Sequence, residues 1–296
     1  MQAISPRPPP PTARRAGATN RWAILPDPGQ TRPATMARLT IGVRDTGAYS
    51  TRGTGKGGLL AESAAILRAL QRGVTLAELR AAVLAGRILH QRARITREGI
   101  FKRLAHRLLD HGQPWIFAAL LSALDQGERS PEFLSSLLLR YALQDRLVFD
   151  FVTGPLWSRW REGRLGVDRD DLLAFFDQGR DDQPQIGRWT EPTRKRLAGD
   201  ILSCLRDLGL LEGTQRKRLT RPVLPLSTAE QLLHVLIAEG KRGAEILEDP
   251  TWRVFLCTPN DVADVLTRLS QTRRIGFERA GDHVVLHTPA DWVPPP

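Results

Sequence analysis

The chain lacks any apolar stretch long enough to cross a bilayer. Its longest run, Trp115 to Leu121, stops at Ser122, whereas a spanning helix needs about 20 apolar residues. The arginines and prolines of the first residues are followed by no apolar segment of signal-peptide length. The sequence therefore predicts a cytoplasmic protein with no membrane partner. Cysteine is almost missing. Cys204 and Cys257 are the only two, and they form neither a Cys-x-x-Cys pair nor the ligand set of a zinc site. Both read as small core residues. Lysine is scarce as well, with 5 against 38 arginines. GC-rich coding alone can produce that skew.

Catalytic groupings are also lacking. Gly53-Thr54-Gly55-Lys56-Gly57-Gly58 suggests a phosphate-binding loop, but such a loop needs a glycine where Ser50 stands and Ser or Thr where Gly57 stands. The acids Asp168, Asp170 and Asp171 are better explained as a helix N-cap and its first turn. Asp181 and Asp182 fall in a polar loop. His283 and His287 share one face of a strand without further metal ligands. No nucleophile stands beside a base. These absences predict a non-enzyme that uses no cofactor and binds no metal.

What is present is positive charge and helical periodicity. The net charge of +11 points to a polyanion, although +7 of it lies in residues 1–56 (nine basic, two acidic). Residues 1–35 hold eight prolines and no apolar period, so they read as disordered. A short strand is expected at Leu39 to Val43. From Gly58 onward, Leu59, Leu60, Ala64, Leu67 and Leu70 form an apolar stripe. Thr75 and Glu78 then form a capping box for a second helix to Ala85. Further helices are expected at 96–110, 114–125, 131–151, 153–162 and 168–177. A helix at 191–208 leads into a strand at Arg216 to Val223, and a helix at 259–270 precedes a hairpin around Gly281. The fold class is mainly α, with winged-helix-like units and short β-hairpins. Four segments follow: a disordered basic extension (1–56), a helical domain (57–180), a winged-helix-like DNA-binding unit (186–225) and a second helical and hairpin unit (226–290), structural or partner-binding.

Two basic faces are candidate contacts for double-stranded DNA. In the 191–208 helix, Leu197, Ile201, Leu205 and Leu208 face the core, while Lys195, Arg196, Gly199, Ser203 and Arg206 lie opposite. Arg188 and Arg194 sit near its N-terminus, which favours phosphate. Arg216, Lys217, Arg218 and Arg221 follow on the wing. The second face, at 96–110, carries Lys102, Arg103, His106 and Arg107. A solvated charged surface is the plain alternative for both. Asp261 and Asp264 argue against DNA contact by the 259–270 helix.

The stretches GLLAESAAILRAL (58–70), GRILHQRARITREGIFKRLAHRLL (86–109), LLRYALQDRLVFDFV (138–152) and WTEPTRKRLAGDILSCLRDLGLL (189–211) resemble BrxA, a component of BREX phage-defence systems. The likeness covers roughly 57–240 in the same order and rests on spacing and character, with no catalytic motif. It implies a helical domain similar to the antitermination factor NusB, joined to a winged-helix part. It also implies binding of double-stranded DNA, no catalysis, and other BREX proteins as candidate partners. The alternatives are a sequence-specific regulator of the defence operon and a protein scaffold.

Overall fold

The computed structural model describes residues 43–288, apart from 56, 111–113 and 282. Helix α1 (Leu60–Gln71) buries Ala64, Leu67 and Leu70, the stripe visible in the sequence. Helix α2 (Leu76–Leu84) opens on its capping box. Thr75 Oγ1 accepts from the Glu78 N–H at 3.3 Å, and the Glu78 carboxylate accepts from the Thr75 N–H at 2.8 Å. Helix α3 (Arg94–Leu104) runs into a π-helical turn at Ala105–Leu109, and α4 follows at Pro114–Asp125.

Helix α5 (Pro131–Gln144) is the axis of the fold. Phe133 and every residue from Ser135 to Gln144 are buried, as expected of a helix wrapped by neighbours on all sides. The periodicity predicts one helix over 131–151, but it breaks at Asp145. That residue is extended and caps α6 (Arg146–Phe151), accepting the Val148 N–H at 3.4 Å. A π-helical turn at Val152–Leu156 contains Pro155, which has no N–H to continue an α-helical ladder. Helix α7 follows at Trp157–Arg161.

Next come β1 (Gly166–Val167), α8 (Arg169–Gln178), α9 (Glu191–Asp207), β2 (Leu211–Glu212) and β3 (Lys217–Leu219). The three strands form one antiparallel sheet in the order β1-β3-β2, with Val167 opposite Lys217 and Leu211 opposite Leu219. No strand before residue 180 is expected from the sequence except Leu39 to Val43. Strand β1 has two residues, too few for alternation to register. The strand expected at Arg216 to Val223 is shorter, because Pro222 cannot donate to a ladder. Gly213 makes the β2–β3 turn possible. Its φ is +85°, and a Cβ there would stand 2.2 Å from the Arg216 carbonyl oxygen.

The remaining chain forms α10 (Leu226–Ala238), α11 (Ala244–Glu248), α12 (Pro259–Gln271) and the hairpin β4 (Gly276–Ala280) with β5 (His283–His287). Helix α10 packs on α5 and α12, and the Ser135 and Thr228 hydroxyls meet at 2.7 Å between α5 and α10. No helix among the described residues is long and apolar enough to cross a membrane. Both cysteines are buried, and burial pushes the Cys204 thiol up to about 11, so it stays protonated and inert at neutral pH.

The segment assigned to a disordered extension, 1–56, needs correcting where it is described. Residues 43–55 are packed into the fold. The Asp45 N–H donates to the Leu143 carbonyl at 2.7 Å, Gln144 Nε2 donates to the Val43 carbonyl at 3.2 Å, and the Tyr49 N–H donates to Gln183 Oε1 at 3.1 Å. Polar and glycine-rich composition conceals this, because the segment is held by hydrogen bonds with little apolar burial of its own. The expected disorder of 1–35, and residues 39–42 of the expected strand, lie outside the described residues; Val43 is not in a strand.

Asp145 sits beneath this strap and accepts from Thr54 Oγ1 at 3.3 Å. Burial pushes its carboxyl up to about 6, against the Val148 N–H, the charges of His106 and Arg107, and Thr54. An unfolded Asp titrates near 3.9. The folded chain thus holds this proton to higher pH, so the group's contribution to stability is full below about pH 4 and is lost as pH rises through about 6. Asp145→Asn preserves the cap and removes the titration. The unfolding free energy of wild type minus variant, from urea melts, should fall by about 2 kcal/mol between pH 4 and 7. A difference that stays constant with pH would refute the assignment.

Candidate nucleic-acid interface

Helix α9 is positioned by its apolar face. Thr190 caps it, and Leu197, Ala198, Ile201, Leu202, Cys204 and Leu205 are buried. Lys195, Arg196, Gly199, Ser203 and Arg206 fall on the outward stripe, as the periodicity predicts. Lys195 is 54% exposed and pairs with Glu191 at 2.5 Å, one turn earlier. Arg196 is exposed and, among the described residues, has no ion-pair partner. The same holds for Arg188 before the helix and for Arg216 and Arg218 around the β2–β3 turn. Arg206 bonds to Asp207 Oδ1 at 2.7 Å and Lys217 Nζ to the Thr214 carbonyl at 2.9 Å, and both remain partly open to solvent.

Four expected contact residues turn inward or toward other elements. Arg194 is only 12% exposed and pairs with Asp177 at 2.5 Å. It also reaches the Leu173 carbonyl at 3.3 Å and lies over the Phe176 ring, so it clamps α9 to α8. Its place was readable: Arg194 stands three residues before Leu197, on the core stripe. Arg221 pairs with Asp261 at 2.8 Å, which ties the end of the sheet to the first turn of α12. Asp261 itself closes a capping box with Thr258.

The second face changes most. Arg107 is 4% exposed. Its Nε donates to the Gly53 carbonyl at 2.6 Å, Nη1 to the Gly57 carbonyl at 3.0 Å and Nη2 to the Gly55 carbonyl at 3.4 Å. The guanidinium lies 4.5 Å from the Tyr141 ring centroid. Arg103 holds the same loop, donating to the Thr54 carbonyl at 3.1 Å. The glycine-rich loop thus presents carbonyl oxygens to arginines, the opposite polarity from a phosphate cradle. Of the three basic contact candidates on this face only Lys102 stays largely free, 69% exposed and paired with Glu98. Arg107 lies three and seven residues after Leu104 and Ile100, again on the buried stripe.

One basic residue escaped the sequence reading. Arg169 opens α8, and its guanidinium Nη2 lies 3.5 Å from where a Cβ on Gly199 would stand. The packing of α8 on α9, together with β1, unreadable at two residues, brings it to α9. Among the described residues no cluster of His, Cys, Asp and Glu is arranged to hold a metal ion.

The BrxA family matches this chain over residues 47–234. The crystal structure of an uncharacterized protein from Magnetospirillum magneticum is similar in fold, with a TM-score of 0.56 at 18% identity over 71% of this chain and 100% of that one. No curated protein matches.

Substitutions separate the two kinds of arginine. Arg107→Met strands loop carbonyls in the interior and should cost about 3 kcal/mol or more, whereas Lys102→Ala should stay within about 0.5 kcal/mol. Arg194→Met should cost about 1–3 kcal/mol and Arg196→Ala again within about 0.5 kcal/mol. Urea unfolding measures all four. Equal costs within either pair would contradict these placements.

Proposed function

The chain belongs to the BrxA family, a component of BREX phage-defence systems, and from that premise we propose that it binds double-stranded DNA and catalyses nothing. The observation carrying this reading is a set of exposed arginines that have no ion-pair partner among the described residues: Arg188 just before α9, Arg196 on it, and Arg216 and Arg218 on the β2–β3 hairpin. The order β1–α8–α9–β2–β3, with sheet order β1-β3-β2, supports a winged-helix reading. In such a unit the second helix of the helix-turn-helix enters the major groove, and here that helix is α9. A guanidinium left without a partner at a surface is ready to accept phosphate, and phosphate contacts are indifferent to sequence. Lys195 and Arg206 add charge to the same stripe.

Unrelated duplexes should therefore bind with similar affinity, and binding should weaken steeply with salt because phosphate contacts release counterions. Replacing Arg196, Arg216 and Arg218 together by Ala should weaken binding to every duplex alike. It should also flatten the salt slope by about one unit per lost contact while leaving the thermal midpoint in place. No binding at micromolar protein, or an affinity indifferent to salt, would overturn the reading.

A further inference from the structure

We propose that Arg169, Arg206 and Lys217 together seat one backbone phosphate of the duplex at the junction of α8, α9 and β3. This rests on the DNA-binding reading above and deepens it.

Three elements converge there. Strand pairing sets Val167 opposite Lys217, so the chain enters α8 at Arg169 two residues after that pair. The Arg169 side chain then lies against Gly199, in ordinary van der Waals contact with where a Cβ would stand. One turn along α9, Ser203 folds its hydroxyl back to the Gly199 carbonyl at 2.8 Å. The outward stripe of α9 is therefore low and flat between Arg196 and Arg206. Lys217 shares its strand face with Leu219, which is buried, so its stem leans toward α9. Partial burial lowers the Lys217 ammonium, and the charges of Arg206 and Arg169 lower it further. Both guanidinium groups thus act on the Lys217 ammonium.

Most carboxylates nearby are already engaged; Asp170 and Asp200 have no ion-pair partner among the described residues, but neither is among the charges that act on Lys217. Asp207 serves Arg206 and also accepts the Gly58 N–H at 2.8 Å. Asp168 and Asp171 close the α8 capping box, and Asp171 pairs with Arg159. Among the described residues neither Arg169 nor Lys217 has an ion-pair partner. Only Arg206 of the three is paired, and like charges left short of compensation are stabilised by an anion brought from outside. A phosphate fits the place, because the Arg169 guanidinium covers Gly199 and the Ser203 side chain is short, so a sugar-phosphate strand would meet charge close to the helix.

The test follows from the number one. Arg169→Gln, Lys217→Gln and the double variant are titrated with a duplex of unrelated sequence across a range of salt. Each single change should weaken binding several-fold and lower the salt slope by about one phosphate, roughly 0.9. The double variant should lower the slope by the same amount, since both side chains serve one phosphate. Arg169→Lys keeps the charge and should keep most of the slope. A double variant that loses two units overturns the shared seat and leaves two separate contacts. Variants that bind like wild type overturn the seat and leave the DNA-binding reading intact. Wild type that fails to bind DNA overturns that reading, and the seat with it. Inorganic phosphate that raises the thermal midpoint of wild type but not of the double variant, with DNA binding unchanged in both, would assign the site to a free anion and also overturn the proposal. Both side chains lie at the surface, so the variants should melt with wild type. If they do not, Arg169→Lys with Lys217→Arg provides the folded comparison, expected to retain the wild-type slope.

Discussion

A guanidinium taken out of water costs several kcal/mol unless its donors are met, and the described fold is organised around meeting those of Arg107. Three carbonyls of the 53–57 loop accept from it, and Tyr141 of α5 lies beneath it. The loop could not hold this course with larger residues. A Cβ on Gly57 would come 2.6 Å from the Asp207 carboxylate, and the neighbouring Gly58 N–H bonds to that same carboxylate at 2.8 Å. One buried charge thus fixes the loop against α5, and the loop in turn fixes the end of α9. The geometry of the outward α9 stripe depends on a residue that never reaches the surface.

Arginine plays two roles here, and position on the helix decides which. Arg107 and Arg194 fall on core stripes and reach carbonyls, a carboxylate and aromatic rings. Arg188, Arg196, Arg216 and Arg218 fall outside them and meet solvent. A planar, always-charged head with five donors suits both tasks. In a chain with 38 arginines, counting charge says little about function, whereas asking which guanidinium groups lack partners says much more.

Helices were legible because the apolar period repeats along them, and the capping box at Thr75 and the N-cap at Asp168 marked their starts. The break at Asp145 was not, because the apolar pattern continues through it and only the backbone turns. Strand β1 was too short to leave a pattern, and with it went Arg169. The packing of residues 43–55 was hidden because polar hydrogen bonds over long sequence distances hold it, and no local period reports such bonds. Half of the misplaced arginines were recoverable in principle: the rule that set Leu197 and Leu104 inward also sets Arg194 and Arg107 inward. Chemical type was allowed to outweigh position, and buried arginine is the case in which that inference fails.

The strap that begins at Val43 is held partly by residues far along the chain. Arg44 pairs with Glu239, the Tyr49 N–H meets Gln183, and the Gly58 N–H meets Asp207, separations of 195, 134 and 149 residues. Loops of that length close late, because the chain entropy must be lost before the contacts return anything. During synthesis the contacts of this segment to Arg107 and to the end of α5 can therefore form before α9 and then α10 supply the rest. Its docking is thus complete only when the chain is: a chain truncated before residue 207 has no carboxylate with which to seat Gly58, although Arg107 still holds the glycines before it.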